Sequence, residues 1–296
     1  MTAAVWGDVV RRRIVRLTDA RLNAPLRERC LQSVVAADCD SDIMLPQIDS
    51  RRHRLQLACV ISALGDKTDI GAGSAAEQMV ATYDLDRLLL MRARRAAGCR
   101  RALWLLRLSR LNPRSSVAAG AARMMRSRNR HVRFCAMMCV LAAEPLRAHR
   151  VLASCGDRLT HFELAQIVGL IFRGRMPVAC VPLLNSPHSN LRMLGIAVVR
   201  RIGASETAPV LMKIAARDPD RAVAREAFRA ICALHLPTGS REAVQALSRM
   251  SAADRKSLYR LMAVEGYSVR ALSSLFREQE RQYFESLVGS YKSVLA

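Results

Sequence analysis

Aromatic residues are scarce: Phe, Trp and Tyr make up 4% of the 296 residues, and there are only two tryptophans, Trp6 and Trp104. A site that stacks flipped bases has little here to build with. Lysine is also rare, at four of the 47 basic residues (Lys67, Lys213, Lys256 and Lys292), so arginine carries the charge. An Arg- and Ala-rich, Lys-poor composition also follows from a GC-rich genome. The net charge of +22 therefore does not by itself identify a partner. Long uncharged runs are missing. The longest, Met176 to Leu191, holds Pro177, Pro182 and Pro187 and falls short of the roughly 18 residues of a membrane span. The stretch before Arg11 is short and already holds Asp8, which predicts no signal peptide. The nine cysteines are scattered and odd in number, with no CxxC. That argues against a disulfide framework and for a reducing, cytoplasmic setting. There is no P-loop, GxGxxG, HExxH or GxSxG, and the six histidines are dispersed. No catalytic residues, no cofactor and no small-molecule substrate are expected. Apolar residues at 51% exclude a mainly disordered chain.

One absence is local. Between Arg87 and Ala143 there is no Asp or Glu, while fourteen arginines fall in the same window. Codon bias favours Arg over Lys but does not exclude carboxylates. Unpaired guanidinium groups repel one another unless an anion relieves them. The helix after Gly98 places Arg100, Trp104 and Arg107 at i, i+4 and i+7, on one face. Arg110 and Arg114 extend that side, and Arg126, Arg128 and Arg130 follow. An indole between guanidinium groups can stack a base or take cation–π contacts. The plainer alternative is that Trp104 is core, among Leu103, Leu105, Leu106 and Leu108. Cys135 and Cys139, at i, i+4, could both reach one metal ion. No nearby Cys or His completes a ligand set, so buried thiols and no metal are expected.

The chain repeats itself. Pro177-Val178 is followed ten residues later by Pro187, and thirty-two residues on Pro209-Val210 is followed ten residues later by Pro219. Each such segment predicts a short helix opened by Pro, then a longer one. In the first longer helix Leu191, Leu194, Gly195, Val198, Val199 and Ile202 form one apolar face. Val223, Ala227, Ala230, Ile231 and Leu234 occupy matching places in the second, with Glu226 a mismatch. Val132, Cys135, Ala136, Cys139, Val140 and Ala143 form a third copy. Beside that face lie Phe134, Met137, Met193, Ile196 and Phe228, at matching places. They are either an apolar strip for a partner or the second packed side of internal helices. Thr160 with Glu163, and Ser251 with Asp254, predict capped helix starts, and Glu265-Gly266 predicts a helix end. Gly65 to Glu77 is the best loop candidate.

Two helices per roughly 30 residues, Pro after the first helix and a small residue (Gly195, Ala227, Ala136) inside the second resemble HEAT or HEAT-like repeats. The resemblance is good over about Leu103 to Leu236. It implies an all-α, right-handed α–α superhelix: an irregular helical cap over 1–77, a solenoid over 78–250 and a helical cap over 251–296. It also implies a non-catalytic scaffold that holds another protein, acidic or bearing an exposed apolar segment. The groove would be Phe134, Met137, Met193, Ile196 and Phe228, and the basic surface would steer the partner. Nucleic-acid phosphates or anionic lipid headgroups at the inner face of a membrane would suit the same arginines. HEAT-like DNA glycosylases and phycobilin lyases share the repeat type. The few aromatics, and the absence of carboxylates from the basic window, disfavour the first. Nothing marks a bilin site for the second.

Overall fold

A computed structural model describes Ile48 and residues 50–64, 75–175, 179–236, 241–268, Leu275 and 278–295. Among these residues the regular structure is helical and no strand occurs, so the chain is all-α. Also among them, no helix is long and apolar enough to cross a membrane. The chain divides into two compact units, Met1–Pro177 and Val178–Ala296. That division falls inside the stretch 78–250 expected as one solenoid. Most of the expected loop at Gly65 to Glu77 lies outside the described residues; its last three positions, Ala75–Glu77, open a helix.

The first unit runs α1 (Arg51–Leu64), α2 (Ala75–Thr82), α3 (Leu85–Arg95), α4 (Gly98–Arg110) and α5 (Ser115–Ala122), which continues as a 3-10 turn, Arg123–Arg126. Then come α6 (Arg130–Ala143), α7 (Ala148–Ala153) and α8 (His161–Leu170). The α4–α5 connection turns at Asn112, whose φ of 53° is left-handed, a conformation Asn tolerates ahead of Pro113. Helix α6 starts where the Asn129 side chain accepts from the His131 and Val132 N–H groups. Helix α8 starts in the expected Thr160–Glu163 capping box. Leu89, Leu105, Leu108, Val132, Ala136 and Cys139 share one core, in which α4 packs on both α3 and α6.

In the second unit the order is α9 (Cys180–Leu184), α10 (Ser189–Ile202), α11 (Ala208–Arg217), α12 (Arg221–Ala233), α13 (Arg241–Ser248), α14 (Ala252–Val264) and α15 (Glu278–Leu295). Helix α11 packs on α13, while α10 packs on α12 and α12 on α14. First and second helices of successive pairs thus stack in two layers, as in an α-solenoid. Pro209 sits in the first turn of α11, where its missing N–H has no partner to lose. Gly203 (φ 73°) ends α10, and the next N–H, of Ala204, donates back to Val199. Gly266 ends α14 in the same way, through Tyr267 and Met262. The anticipated core face of α10 is buried from Leu191 to Val199, but Ile202 is 49% exposed, because the helix stops there. The mismatch on α12, Glu226, is buried and answered by Arg200 of α10 at 3.2 Å and Arg229 at 3.5 Å.

Candidate functional site

The acid-free window of the sequence is not acid-free in space. The α3 residue Asp86 is fully buried and receives the Arg114 Nη2 at 2.7 Å, its Nε at 3.0 Å and its backbone N–H at 3.1 Å. Asp84 takes Nη2 at 2.6 Å as well. The Arg114 hydrogen bond holds the Asp84 carboxyl below the usual range, and the two aspartates hold Arg114 firmly charged. Arg130 pairs with Glu163 at 2.8 Å and also donates to the Arg158 carbonyl. Arg133 makes a two-pronged pair with Asp157, both distances 2.7 Å, which lowers the Asp157 pKa.

Arg133 is one of three copies of a single device. Its Nη1 donates to the carbonyl five residues back, Arg128, while its other nitrogens hold Asp157. Arg192 donates to the Pro187 carbonyl and holds Asp218 at 2.7 and 2.9 Å. Arg255 donates to the Met250 carbonyl and holds Glu280 at 2.7 Å. Each guanidinium fastens the turn before its own helix to a carboxylate 24 to 26 residues on.

The expected basic stripe therefore comes apart. Arg107 is buried, donating to the Cys59 Sγ at 3.2 Å and lying 4.9 Å over the Trp104 ring. Trp104 is half-buried against the core, and Arg107 covers a face it would need for stacking a base. Arg110 is half-buried, Arg114 and Arg130 are paired, and Arg100, Arg126 and Arg128 are exposed. The expected apolar groove is corrected too. Met137, Met193, Ile196 and Phe228 are all buried, because helices packed on more than one side are apolar nearly all round. Phe134 is half-buried. With Met137 it lines a small pocket of about 210 Å³ floored by the Arg130–Glu163 and Arg133–Asp157 pairs.

What the arrangement does form is a concave pocket of about 360 Å³, lined by Arg94, Arg101, Gly120, Arg123, Met124, Arg126 and Ser127. Its four arginines come from the end of α3, the first turn of α4 and the 3-10 turn after α5. No carboxylate lines it among the described residues. Arg101 is anchored by its Nε on the Ala93 and Ala96 carbonyls, at 3.3 and 2.9 Å. The side chains of Arg94, Arg123 and Arg126 have no hydrogen-bond or ion-pair partner among the described residues. Of the residues expected on the basic surface, only Arg126 lines the pocket. Arg123 shares the face of the 3-10 turn with it, and the packing of α3, α4 and α5 brings Arg94 and Arg101 to them.

Residues 178–268 match the family model for HEAT repeats. The protein carries HEAT repeats. The match lies in the second unit and includes Arg192 and Arg255. Arg133 repeats their bonding pattern in the first unit, outside the matched residues. No curated protein matches the chain.

The repeat cores also hold the thiols. Cys135 and Cys139 are buried on α6, and Cys139 donates its S–H to the Leu105 carbonyl at 3.1 Å. Burial pushes the Cys135 thiol up to about 12 and the Cys139 and Cys232 thiols well above their ordinary value. A thiolate reagent at neutral pH is expected to modify exposed Cys99 and to leave Cys59, Cys135, Cys139 and Cys232 untouched until the protein unfolds. Mass spectrometry of the alkylated native protein checks this. Rapid labelling of Cys135 or Cys139, or stoichiometric zinc in the purified protein, would contradict it. Cys30 and Cys39 lie outside the described residues.

Proposed function

We infer that the protein is a non-catalytic scaffold that holds another protein on its HEAT repeats. The arginine pocket of the first unit gives the charged contact to an acidic partner. HEAT repeats typically bind other proteins. The observation that carries the reading is a contrast within one window. Arg114, Arg130 and Arg133 are neutralised by carboxylates, whereas Arg94, Arg123 and Arg126 line a cavity with no carboxylate among the described residues. A concave, single-sign site steers anionic partners and raises their association rate. The seven described cysteines are free thiols, in keeping with a reducing, cytoplasmic setting.

Affinity purification of the full chain from its native cell, with and without nuclease, tests this. A defined protein recovered in both arms supports the scaffold, and loss of every partner after nuclease points to nucleic acid. With that partner in hand, replacing Arg94, Arg123 and Arg126 together by Gln is expected to slow association and flatten its salt dependence, with the fold kept. Stopped-flow association at several salt concentrations reads this out. An unchanged rate and salt response would show that these arginines play no part in binding.

A further inference from the structure

The pocket is more specific than a basic surface. Four arginines line one cavity instead of following a track. The track expected along α4 is broken, because Arg107 is buried and Arg114 is neutralised. Among the described residues, the carboxylates that flank the window or answer its arginines are committed elsewhere: Asp84 and Asp86 to Arg114, Glu144 to Arg147, Asp157 to Arg133 and Glu163 to Arg130. The lining is also prepared. With the Arg101 Nε held by the Ala93 and Ala96 carbonyls, its outer nitrogens are left for the cavity. Gly120 makes room for Arg94: a Cβ there would stand 2.9 Å from the Arg94 Nη2 and 2.7 Å from the Leu90 Cδ2. The Ser127 hydroxyl accepts from the Asn129 N–H at 3.3 Å and keeps its own hydrogen to donate.

We propose that this pocket binds a phosphomonoester dianion, presented as phosphoserine or phosphothreonine by the protein partner; the proposal rests on the scaffold reading. Three terminal oxygens and a charge near −2 can satisfy several guanidinium forks at once. A single carboxylate offers two oxygens and one charge. A phosphodiester backbone presents one charge per group along a line, which suits a track of arginines better than one cavity. At about 360 Å³ the pocket lies at the small end of ligand sites, with room for a phosphoryl group and the stem that carries it. Met124 is the one large apolar side chain in the wall, too little apolar surface to enter a bilayer.

The test uses the full chain and fluorescence anisotropy with a degenerate phosphoserine peptide library, its unphosphorylated counterpart, a short single-stranded oligonucleotide and, by flotation, vesicles containing a monophosphorylated inositol lipid. The phosphorylated library is expected to bind at least about tenfold more tightly than the unphosphorylated one, and inorganic phosphate should displace it where chloride at equal ionic strength does not. Arg94→Gln with Arg123→Gln should erase that margin. Arg217→Gln with Arg221→Gln, which removes the same charge from exposed sites in the second unit, should leave it. Gly120→Ala, which crowds the Arg94 guanidinium, should shrink the margin a few-fold while the thermal melt holds. Equal binding of both libraries overturns the proposal. So does a margin that survives the pocket pair, or one lost equally in the second-unit pair. Tighter binding of the oligonucleotide or the vesicles, abolished by the pocket pair, also overturns it, in favour of a diester or lipid site. A phosphatase-treated arm of the purification separates the two readings. A partner kept after phosphatase sinks this proposal and leaves the scaffold; no defined partner in any arm sinks the scaffold.

Discussion

Asp218→Ala is expected to destabilise the second unit by about 3–5 kcal/mol, lowering its thermal midpoint by roughly 10 °C or more. The Asp218 side chain is 3% exposed and that of Arg192 is 11% exposed. The two meet in a two-pronged pair at 2.7 and 2.9 Å. The Asp218 Oδ1 also accepts from the Asp220 N–H at 2.8 Å, in the turn that opens α12. Arg192 is further bound to the Ser186 and Pro187 carbonyls at 2.9 and 2.8 Å, so its head cannot swing out to water without breaking the turn before α10. Removing the carboxylate therefore strands a buried cation and a turn N–H together. Adding Arg192→Met should recover much of the loss, because an apolar replacement of both partners leaves no buried charge. Asp157→Ala breaks the matching pair in the first unit, but there the side chains are 29% and 33% exposed. Water can take over the freed guanidinium, so the loss should be clearly smaller. Calorimetry of the three variants checks the ranking. Equal losses at Asp218 and Asp157 would mean that burial does not set the strength of these clamps.

The same clamps explain what could and could not be read from the chain. Local signals were legible: the Thr160–Glu163 box, the Ser251 cap on the Asp254 N–H and the Gly266 helix end depend on residues within a turn of one another. The apolar face of the second helices was legible from its period, because burial repeats every turn. Its extent was not: Ile202 keeps the period but stands past the packed part of α10, where Gly203 ends the helix. The arginines were legible as a cluster but not as a site. Arg114 and Arg133 find carboxylates 28 and 24 residues away, outside the acid-free window at either end. Arg94 and Arg101 meet Arg123 and Arg126 only because α3 packs on both α4 and α5. Helical spacing instead singled out Arg107, whose face of α4 turns inward to Cys59 on α1. Periodicity reports that a face exists. It does not report which face a neighbouring helix will cover.

Gly195→Leu is the second large expected loss, about 3 kcal/mol. Gly195 lies in the middle of α10 and is buried. A Cβ built there would stand 3.0 Å from the Leu183 Cβ, 3.0 Å from the Leu184 backbone nitrogen and 3.1 Å from the Leu184 Cδ2. One of these is backbone and one a Cβ, so neither yields by a change of rotamer, and α9 itself has to move. Leu183 and Leu184 are both buried, so moving α9 opens the contact they fill. The larger side chain adds three more carbons to that crowding. Gly195→Ala sets a smaller clash against the helix propensity gained, about 1 kcal/mol, and should fall near zero. Gly169 on α8 is the control: nothing stands within 4 Å of the Cβ it lacks. Gly169→Ala should therefore stabilise by roughly 0.5–1 kcal/mol. Chemical denaturation of the three variants reads out the series. A Gly195→Leu protein that melts like wild type would mean that α9 does not rest on α10 at this residue. The small residue shared by Gly195, Ala227 and Ala136 would then not be the point where the paired helices approach.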